Sequence, residues 1–181
     1  MKWYGFLLIF IAAAVFSNFM YTVRLDFTSE NTLVKNTFPL PEGQLQLLDR
    51  PENRVLSAQT MPKQPLILFF FASWCRPCMV ELPTLVKLSA RRDVPFIGVA
   101  ARDEPEKIKD LLKKTGDPFQ MIALDPDITW TRQMNADKLP TAFVINAKGE
   151  AVAKIKGLMT EEFYLQTVLP FLQELKNEKP L

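Results

Sequence analysis

The chain has 181 residues, 48% of them hydrophobic, and carries a formal net charge of +2 without a single histidine. Its length accommodates one domain of about 130–150 residues with an appendage, and its hydrophobic fraction allows a sizeable core. The near-neutral charge, without a basic cluster among aromatic residues, gives no support for nucleic-acid binding, and the lack of histidine excludes histidine-based acyl transfer and histidine-ligated zinc or haem.

The N-terminal segment from Trp3 to Val23 contains no charged residue and has aromatic residues near both ends. A helix of this length spans roughly 30 Å, which is the thickness of the hydrocarbon core of a bilayer. We therefore predict a transmembrane anchor over residues 1–24 and a polar stalk over residues 25–37. A cleaved signal peptide and a buried core helix are the alternatives. The short N-terminal tail and the dithiol motif described below favour a folded domain outside the cytoplasm.

Residues 38–181 have the pattern of a single α/β domain. Leu45–Leu48 and Arg54–Ser57 predict short strands on either side of a turn. The uninterrupted apolar run Leu66–Phe71 predicts a strand buried on both faces, and helical spacing of apolar residues follows as far as Arg92.

The second half of the domain continues this alternation. The predicted elements are a buried strand over Val94–Ala101, a helix from Asp103 to Lys114, a strand over Met121–Leu124, a short helix over Ile128–Met134, a hairpin of Thr141–Ile145 with Ala151–Lys156, and a last helix capped by Thr160. This order predicts a mixed sheet with helices on both faces.

Cys75 and Cys78, the only cysteines, lie where the central strand ends and the first helix begins. Free N–H groups and the positive end of the helix dipole favour a thiolate there, so we expect a lowered cysteine pKa and a nucleophilic sulfur. Two cysteines cannot complete a four-ligand zinc site. A disulfide between them would close a very short loop and so add little stability. Met79 follows Cys78, which excludes c-type haem attachment. Redox chemistry is the role that remains for this cysteine pair.

The segment Trp74–Cys78 after an apolar strand, with Leu139–Thr141 far downstream, resembles the thioredoxin fold. More narrowly, Ala72–Pro83 resembles the membrane-anchored TlpA/ResA/CcmG (DsbE) group, as do Gly116–Phe119 and Gly157–Thr160. The resemblance implies a thioredoxin fold, with a mixed central sheet flanked by helices, and thiol–disulfide oxidoreductase activity that needs neither a cofactor nor a metal.

The resemblance also implies catalytic roles. Cys75 is expected to be the attacking thiol, and Cys78 the thiol that resolves the mixed disulfide. Glu81 is expected to be the acid–base residue, with an ordinary solvated helix glutamate as the alternative. Arg76 either favours the Cys75 thiolate by Coulomb attraction or is a screened surface charge.

Pro140 resembles the cis-proline of the family, which exposes the Leu139 backbone to an extended substrate; a trans proline at a strand start is the alternative. The full predicted substrate-binding set is Trp74, Arg76, Pro77, Leu139, Pro140 and Thr141. The CcmG pattern Gly-Val-x-Gly-x-Pro-Glu-Thr is altered here, since both glycines are absent and Thr141 replaces the acid.

By resemblance, the chain is expected to reduce disulfides of apocytochrome c during cytochrome c maturation. It would act on the periplasmic side of a bacterial inner membrane, and a membrane thiol protein of DsbD or CcdA type would reduce its disulfide again. Two alternatives stay open: a DsbA-like oxidase or isomerase of secreted proteins, and a thioredoxin-fold assembly factor without catalysis.

Overall fold

A computed structural model describes residues 13–14, 31–48 and 54–177. The chain divides into two units, Met1–Glu30 and Asn31–Leu181. In the first unit only Ala13 and Ala14 are described, both in helical conformation, so the anchor predicted over residues 1–24 lies outside the described residues. Within the described ranges, no helix has the length and apolar character needed to cross a bilayer.

The second unit is built from strands and helices that alternate through most of its length. The strands are β1 Thr32–Phe38, β2 Leu45–Leu47, β3 Val55–Leu56, β4 Leu66–Phe71, β5 Phe96–Ala101, β6 Met121–Asp125, β7 Thr141–Ile145 and β8 Ala151–Lys156. The helices are α1 Arg76–Ala90, α2 Pro105–Thr115, α3 Thr129–Gln133 and α4, residues 161–177, whose Tyr164–Val168 turn is π-helical. The described strands form one mixed sheet in the order β1-β8-β7-β4-β5-β6-β2-β3.

Strand β4 lies at the centre of the sheet, and all six of its residues are buried, as predicted. Ile67, Phe69 and Phe71 contribute to the core that α1, α2 and α4 cover. Leu68 and Phe70 point to the opposite core, which includes Trp130 of α3. The apolar run has no polar alternation because both faces of this strand are covered.

The pairing of β4 determines which residues share one edge of the sheet. It runs parallel to β5, with Phe71 opposite Ala100, and antiparallel to β7, with Phe70 opposite Thr141. The carboxyl ends of β4 and β5 therefore meet the beginning of β7 at the same edge. The segments that follow β4 and β5, and the one that precedes β7, are thereby neighbours.

The predicted stalk is wrong in its C-terminal part. Thr32–Phe38 is a strand at the edge of the sheet, paired antiparallel with β8, and Phe38 packs edge-on against Phe143 at 5.4 Å between ring centroids. The folded unit therefore begins at Asn31, before the predicted boundary at residue 38. None of its residues is fully buried, and it lacks the apolar alternation that marks a half-buried strand in a sequence.

The remaining elements agree with the prediction in type and order, and their ends differ by one or two residues. Helix α1 ends at Ala90 before the predicted Arg92, whose φ of 58° is left-handed. Helix α3 covers Thr129–Gln133, one residue shorter at each end than predicted.

Candidate active site

Cys75 and Cys78 form a disulfide with an S–S distance of 2.05 Å and a Cα–Cα distance of 5.3 Å. Cys75 is the N-cap of α1, and its sulfur accepts a hydrogen bond from the Cys78 N–H at 3.2 Å. Pro77 lies in the first turn, where the missing N–H costs no helical hydrogen bond. The predicted placement of the pair at a junction between strand and helix is confirmed.

The two sulfur-bearing residues differ in accessibility, since Cys75 is 5% exposed and Cys78 is completely buried. Arg76, between them, is exposed and forms no hydrogen bond or ion pair with another described side chain. Its charge acts through solvent, where Coulomb interactions are screened.

A turn carries the chain from β4 into α1, closed by a hydrogen bond from the Cys75 N–H to the Ala72 carbonyl at 3.2 Å. The Ser73 hydroxyl donates to Oδ1 of Asp103 at 2.7 Å, and the Ser73 N–H donates to the other oxygen of the same carboxylate. Asp103 is absent from the predicted site. The available signal was its position just after the buried strand predicted over Val94–Ala101, because functional residues of α/β sheets often follow the carboxyl ends of the strands.

Trp74, the other central residue of this turn, is 60% exposed. Its indole N–H donates to the Arg102 carbonyl at 3.0 Å. One edge of the ring is therefore held while much of the rest faces solvent. This arrangement suits apolar contact with a second protein.

Glu81 is buried inside the domain, with only 4% of the residue exposed. Its Oε1 accepts a hydrogen bond from the Met159 N–H at 2.6 Å, and its buried Oε2 has no partner among the described residues. Burial raises the pKa of Glu81 to about 7, although the Met159 hydrogen bond lowers it. The alternative of a solvated helix glutamate is therefore wrong.

The position of Glu81 relative to the disulfide follows from helix geometry. It lies three residues after Cys78 in α1, so the two side chains emerge on the same side of the helix. A carboxyl group with a pKa near neutrality can accept or release a proton at physiological pH.

The Leu139–Pro140 peptide bond is cis, as predicted. Thr141 begins β7 and pairs with Phe70, which places Pro140 beside the end of β4 that leads to Cys75. Leu139 and Pro140 are each partly exposed, whereas Thr141 is buried and donates its hydroxyl to the Lys138 carbonyl at 2.6 Å. The Thr141 hydroxyl thus stabilises the loop that precedes the proline.

The same loop shows how the chain replaces the first glycine of the CcmG pattern. Asn135 stands where the first glycine would be and has a left-handed φ of 51°, which asparagine tolerates better than most residues. The Lys154 ammonium donates to the Asn135 carbonyl at 2.6 Å. Burial lowers the pKa of Lys154, with repulsion from Lys156 as a further cause.

Within the part of the chain that the structure describes, no group of three or more histidine, cysteine, aspartate or glutamate residues is arranged to hold a metal ion.

Comparison with known proteins adds to this geometry. The model of the Redoxin family matches residues 34–169. The chain belongs to the Redoxin family. It is 33% identical over 134 residues to the thiol:disulfide interchange protein DsbE homolog of Paracoccus denitrificans, covering 73% of this chain and 68% of the relative. It is also 26% identical over 139 residues to the thiol:disulfide interchange protein DsbE of Xylella fastidiosa, covering 77% and 70%.

These relatives place the chain in the DsbE/CcmG group of the Redoxin family, and its activity is that of a thiol–disulfide oxidoreductase. The crystal structure of a DsbF homologue from Corynebacterium diphtheriae superposes with a TM-score of 0.62 at 18% identity, covering 78% of this chain and 94% of that one. At this identity the likeness concerns the thioredoxin-like fold alone.

Proposed function

We propose that this oxidoreductase is a membrane-tethered reductant whose substrate is the disulfide of apocytochrome c before haem attachment. The observation that carries the proposal is the Cys75–Cys78 disulfide at the N-terminus of α1, beside the cis Leu139–Pro140 bond. Relatives named thiol:disulfide interchange protein DsbE support exchange with the disulfide or the thiols of a protein substrate. The uncharged segment Trp3–Val23 supports a tether, with the domain in the periplasm.

The exchange takes two steps from the reduced enzyme. The Cys75 thiolate attacks one sulfur of the substrate disulfide, forms a mixed disulfide and releases the other substrate sulfur as a thiolate that takes up a proton. The Cys78 thiol loses its proton and attacks the Cys75 sulfur, which forms the Cys75–Cys78 disulfide and releases the second substrate thiolate. The substrate gains two electrons, and the enzyme loses two.

Glu81 is the proposed acceptor of the Cys78 proton. It is buried one helical turn from Cys78, and its pKa of about 7 allows it to bind a proton near neutral pH. A membrane thiol protein of DsbD or CcdA type would then reduce the Cys75–Cys78 disulfide by the same exchange and complete the cycle.

Substrate contacts are proposed for the residues around the exposed side of Cys75. Trp74 supplies an exposed aromatic face, while the backbone of Leu139, a partly exposed residue before Pro140, would pair with an extended substrate segment. Arg76, Pro77 and Thr141 complete the proposed contact set.

The reduction potential of the full chain, kept in detergent and equilibrated with glutathione, tests the direction of electron flow. A value near or below about −200 mV supports a reductant, whereas a value near about −120 mV would identify a DsbA-like oxidant. A disulfide-bonded peptide with the Cys-x-x-Cys-His sequence of a haem-attachment site tests the substrate, with a scrambled peptide of equal composition as control. Equal reduction rates for both peptides would contradict the assignment to apocytochrome c.

The proposal of catalysis is tested separately in cells. A chain with Cys75→Ser and Cys78→Ser should fail to complement a deletion strain, because neither exchange step is possible. Complementation by this chain would instead support an assembly factor that binds partners without turnover.

A further inference from the structure

We propose that Asp103 is a positioning residue for thiol–disulfide exchange, acting through Ser73 on the sulfur of Cys75. Its carboxylate accepts both the hydroxyl and the backbone N–H of Ser73, a central residue of the turn that ends at Cys75. This role concerns the exchange chemistry itself and is independent of the substrate proposed above.

The sulfur of Cys75 needs accurate placement. It accepts the Cys78 N–H at 3.2 Å at the first turn of α1. Hydrogen bonds weaken steeply when their angle is lost, and the effect of the helix dipole is confined to the terminal turn. A small rotation of the preceding turn would therefore weaken both the Cys78 N–H hydrogen bond and the helix-dipole interaction, which stabilise the Cys75 thiolate in the reduced enzyme.

Asp103 is itself well oriented for this task. Besides the two donors of Ser73, its Oδ1 accepts the Glu104 N–H at 2.9 Å, so donors from two segments align the carboxylate. Hydrogen bonds to a charged acceptor are stronger than neutral ones. The neighbouring carbonyl of Arg102 holds Trp74, so the segment after β5 restrains both central residues of the turn.

A carboxylate near a thiolate also has an opposing effect, because its negative charge raises the pKa of the thiol. Among the charged groups on the segments around the turn are the exposed cations Arg76, Arg102 and Lys138, Glu104 in an ion pair with Lys107 at 2.7 Å, and the buried acids Glu81 and Asp125. Asp103 is partly exposed, so solvent screens its charge, while its hydrogen bonds act at short range. The stabilisation of the Cys75 thiolate through the position of the turn is therefore larger than its repulsion by the Asp103 carboxylate.

The two effects predict opposite signs for Asp103→Ala. If Asp103 positions the turn, the substitution raises the pKa of Cys75; if only its charge matters, the substitution lowers that pKa. A purely structural role reduces Tm and leaves the pKa unchanged. The decisive readout is thus the pH profile of Cys75 reactivity, with Tm measured alongside.

The experiment uses the full chain in detergent, freshly reduced, and follows alkylation of Cys75 by iodoacetamide between pH 5 and pH 10. We expect Asp103→Ala to move the profile to higher pH and to lower the rate at pH 7 by about three- to tenfold, since the thiolate fraction falls. Asp127→Ala is the matched control, because Asp127 is an exposed acid after β6, whereas the hydrogen bonds of Ser73 go to Asp103. Its profile should equal that of the unaltered chain.

A profile for Asp103→Ala that is unchanged or shifted to lower pH would overturn the proposal, whatever happens to Tm. If Asp103→Ala does not fold, Ser73→Ala decides, because it removes the hydroxyl donor to the carboxylate and leaves the charge of Asp103 in place. A raised Cys75 pKa in Ser73→Ala supports positioning, and an equal or lower one contradicts it. None of these outcomes depends on whether apocytochrome c is the substrate.

Discussion

Accessibility distinguishes the two cysteines of the disulfide at the scale of single residues. Because Cys75 is slightly exposed and Cys78 is buried, only Cys75 is open to attack on a partner. Cys78→Ser should therefore accumulate a mixed disulfide between Cys75 and a disulfide-bonded peptide, visible on a non-reducing gel. Cys75→Ser is the matched control and should accumulate none; the reverse pattern would assign the attack to Cys78.

Glu81 makes the stability of the domain depend on pH. Its pKa is about 7 in the folded protein against an ordinary 4.5, so folding binds a proton, and this contribution is full below about pH 4.5 and lost as the pH rises through 7. The shift corresponds to about 3 kcal/mol. In urea unfolding of the oxidised chain, we expect the stability difference between the unaltered chain and Glu81→Gln to change by about that amount across this window. Parallel curves would contradict the raised pKa.

Glu81 is also expected to influence the thiols of the reduced enzyme. A carboxylate near Cys78 raises the pKa of its thiol, so Glu81→Gln should lower it. Thiolate absorbance during a pH titration measures this change. Unchanged pKa values for both cysteines would remove Glu81 from the proposed mechanism.

Packing beneath the active-site turn can be tested at the scale of elements. A Cβ on Gly98 of β5 would lie 2.9 Å from Cε1 of Phe71 and 3.2 Å from the ring of Phe119, two rings stacked with centroids 4.9 Å apart. Gly98→Ala should therefore destabilise the domain by about 1–3 kcal/mol, measured by chemical denaturation. The cost should be smaller in a Phe71→Leu background, and an equal cost would show that Phe71 is not the crowded neighbour.

Elements with strong local patterns were predictable from the sequence. Strand β4 is continuously apolar, α1 has regular apolar spacing after the cysteines, and both were predicted close to their observed limits. Strand β1 was missed because its hydrogen bonds to β8 stabilise a partly exposed segment whose residues show no alternation of apolar and polar side chains. The pairing of β1 with β8 joins residues that are far apart in the chain, and a local sequence pattern cannot predict such a pairing.

At the scale of the whole molecule, β1 is expected to contribute to stability. A chain that begins at Leu40 loses the pairing with β8 and the contact of Phe38 with Phe143, whereas one that begins at Asn31 keeps both. We expect the shorter chain to be less stable by about 2–4 kcal/mol, mainly from the lost apolar burial. Equal urea midpoints would show that β1 adds nothing to the folded domain.

The sequence by itself determined the order of the other strands and helices and the position of Cys75 and Cys78 where β4 meets α1. These features depend on residues adjacent in the chain, whose side-chain periodicity and turn preferences are read locally. Pro140 was identified through resemblance, and its cis bond agrees with that prediction.

Only the tertiary structure decided which distant groups meet. The register of β4 with β5 brings Ser73 to Asp103, and the return of the chain after β8 brings the Met159 N–H to Glu81. Burial of Glu81, and hence its pKa near neutrality, follows from that packing. Such contacts depend on sheet register and helix placement, so they cannot be predicted from a pattern of neighbouring residues.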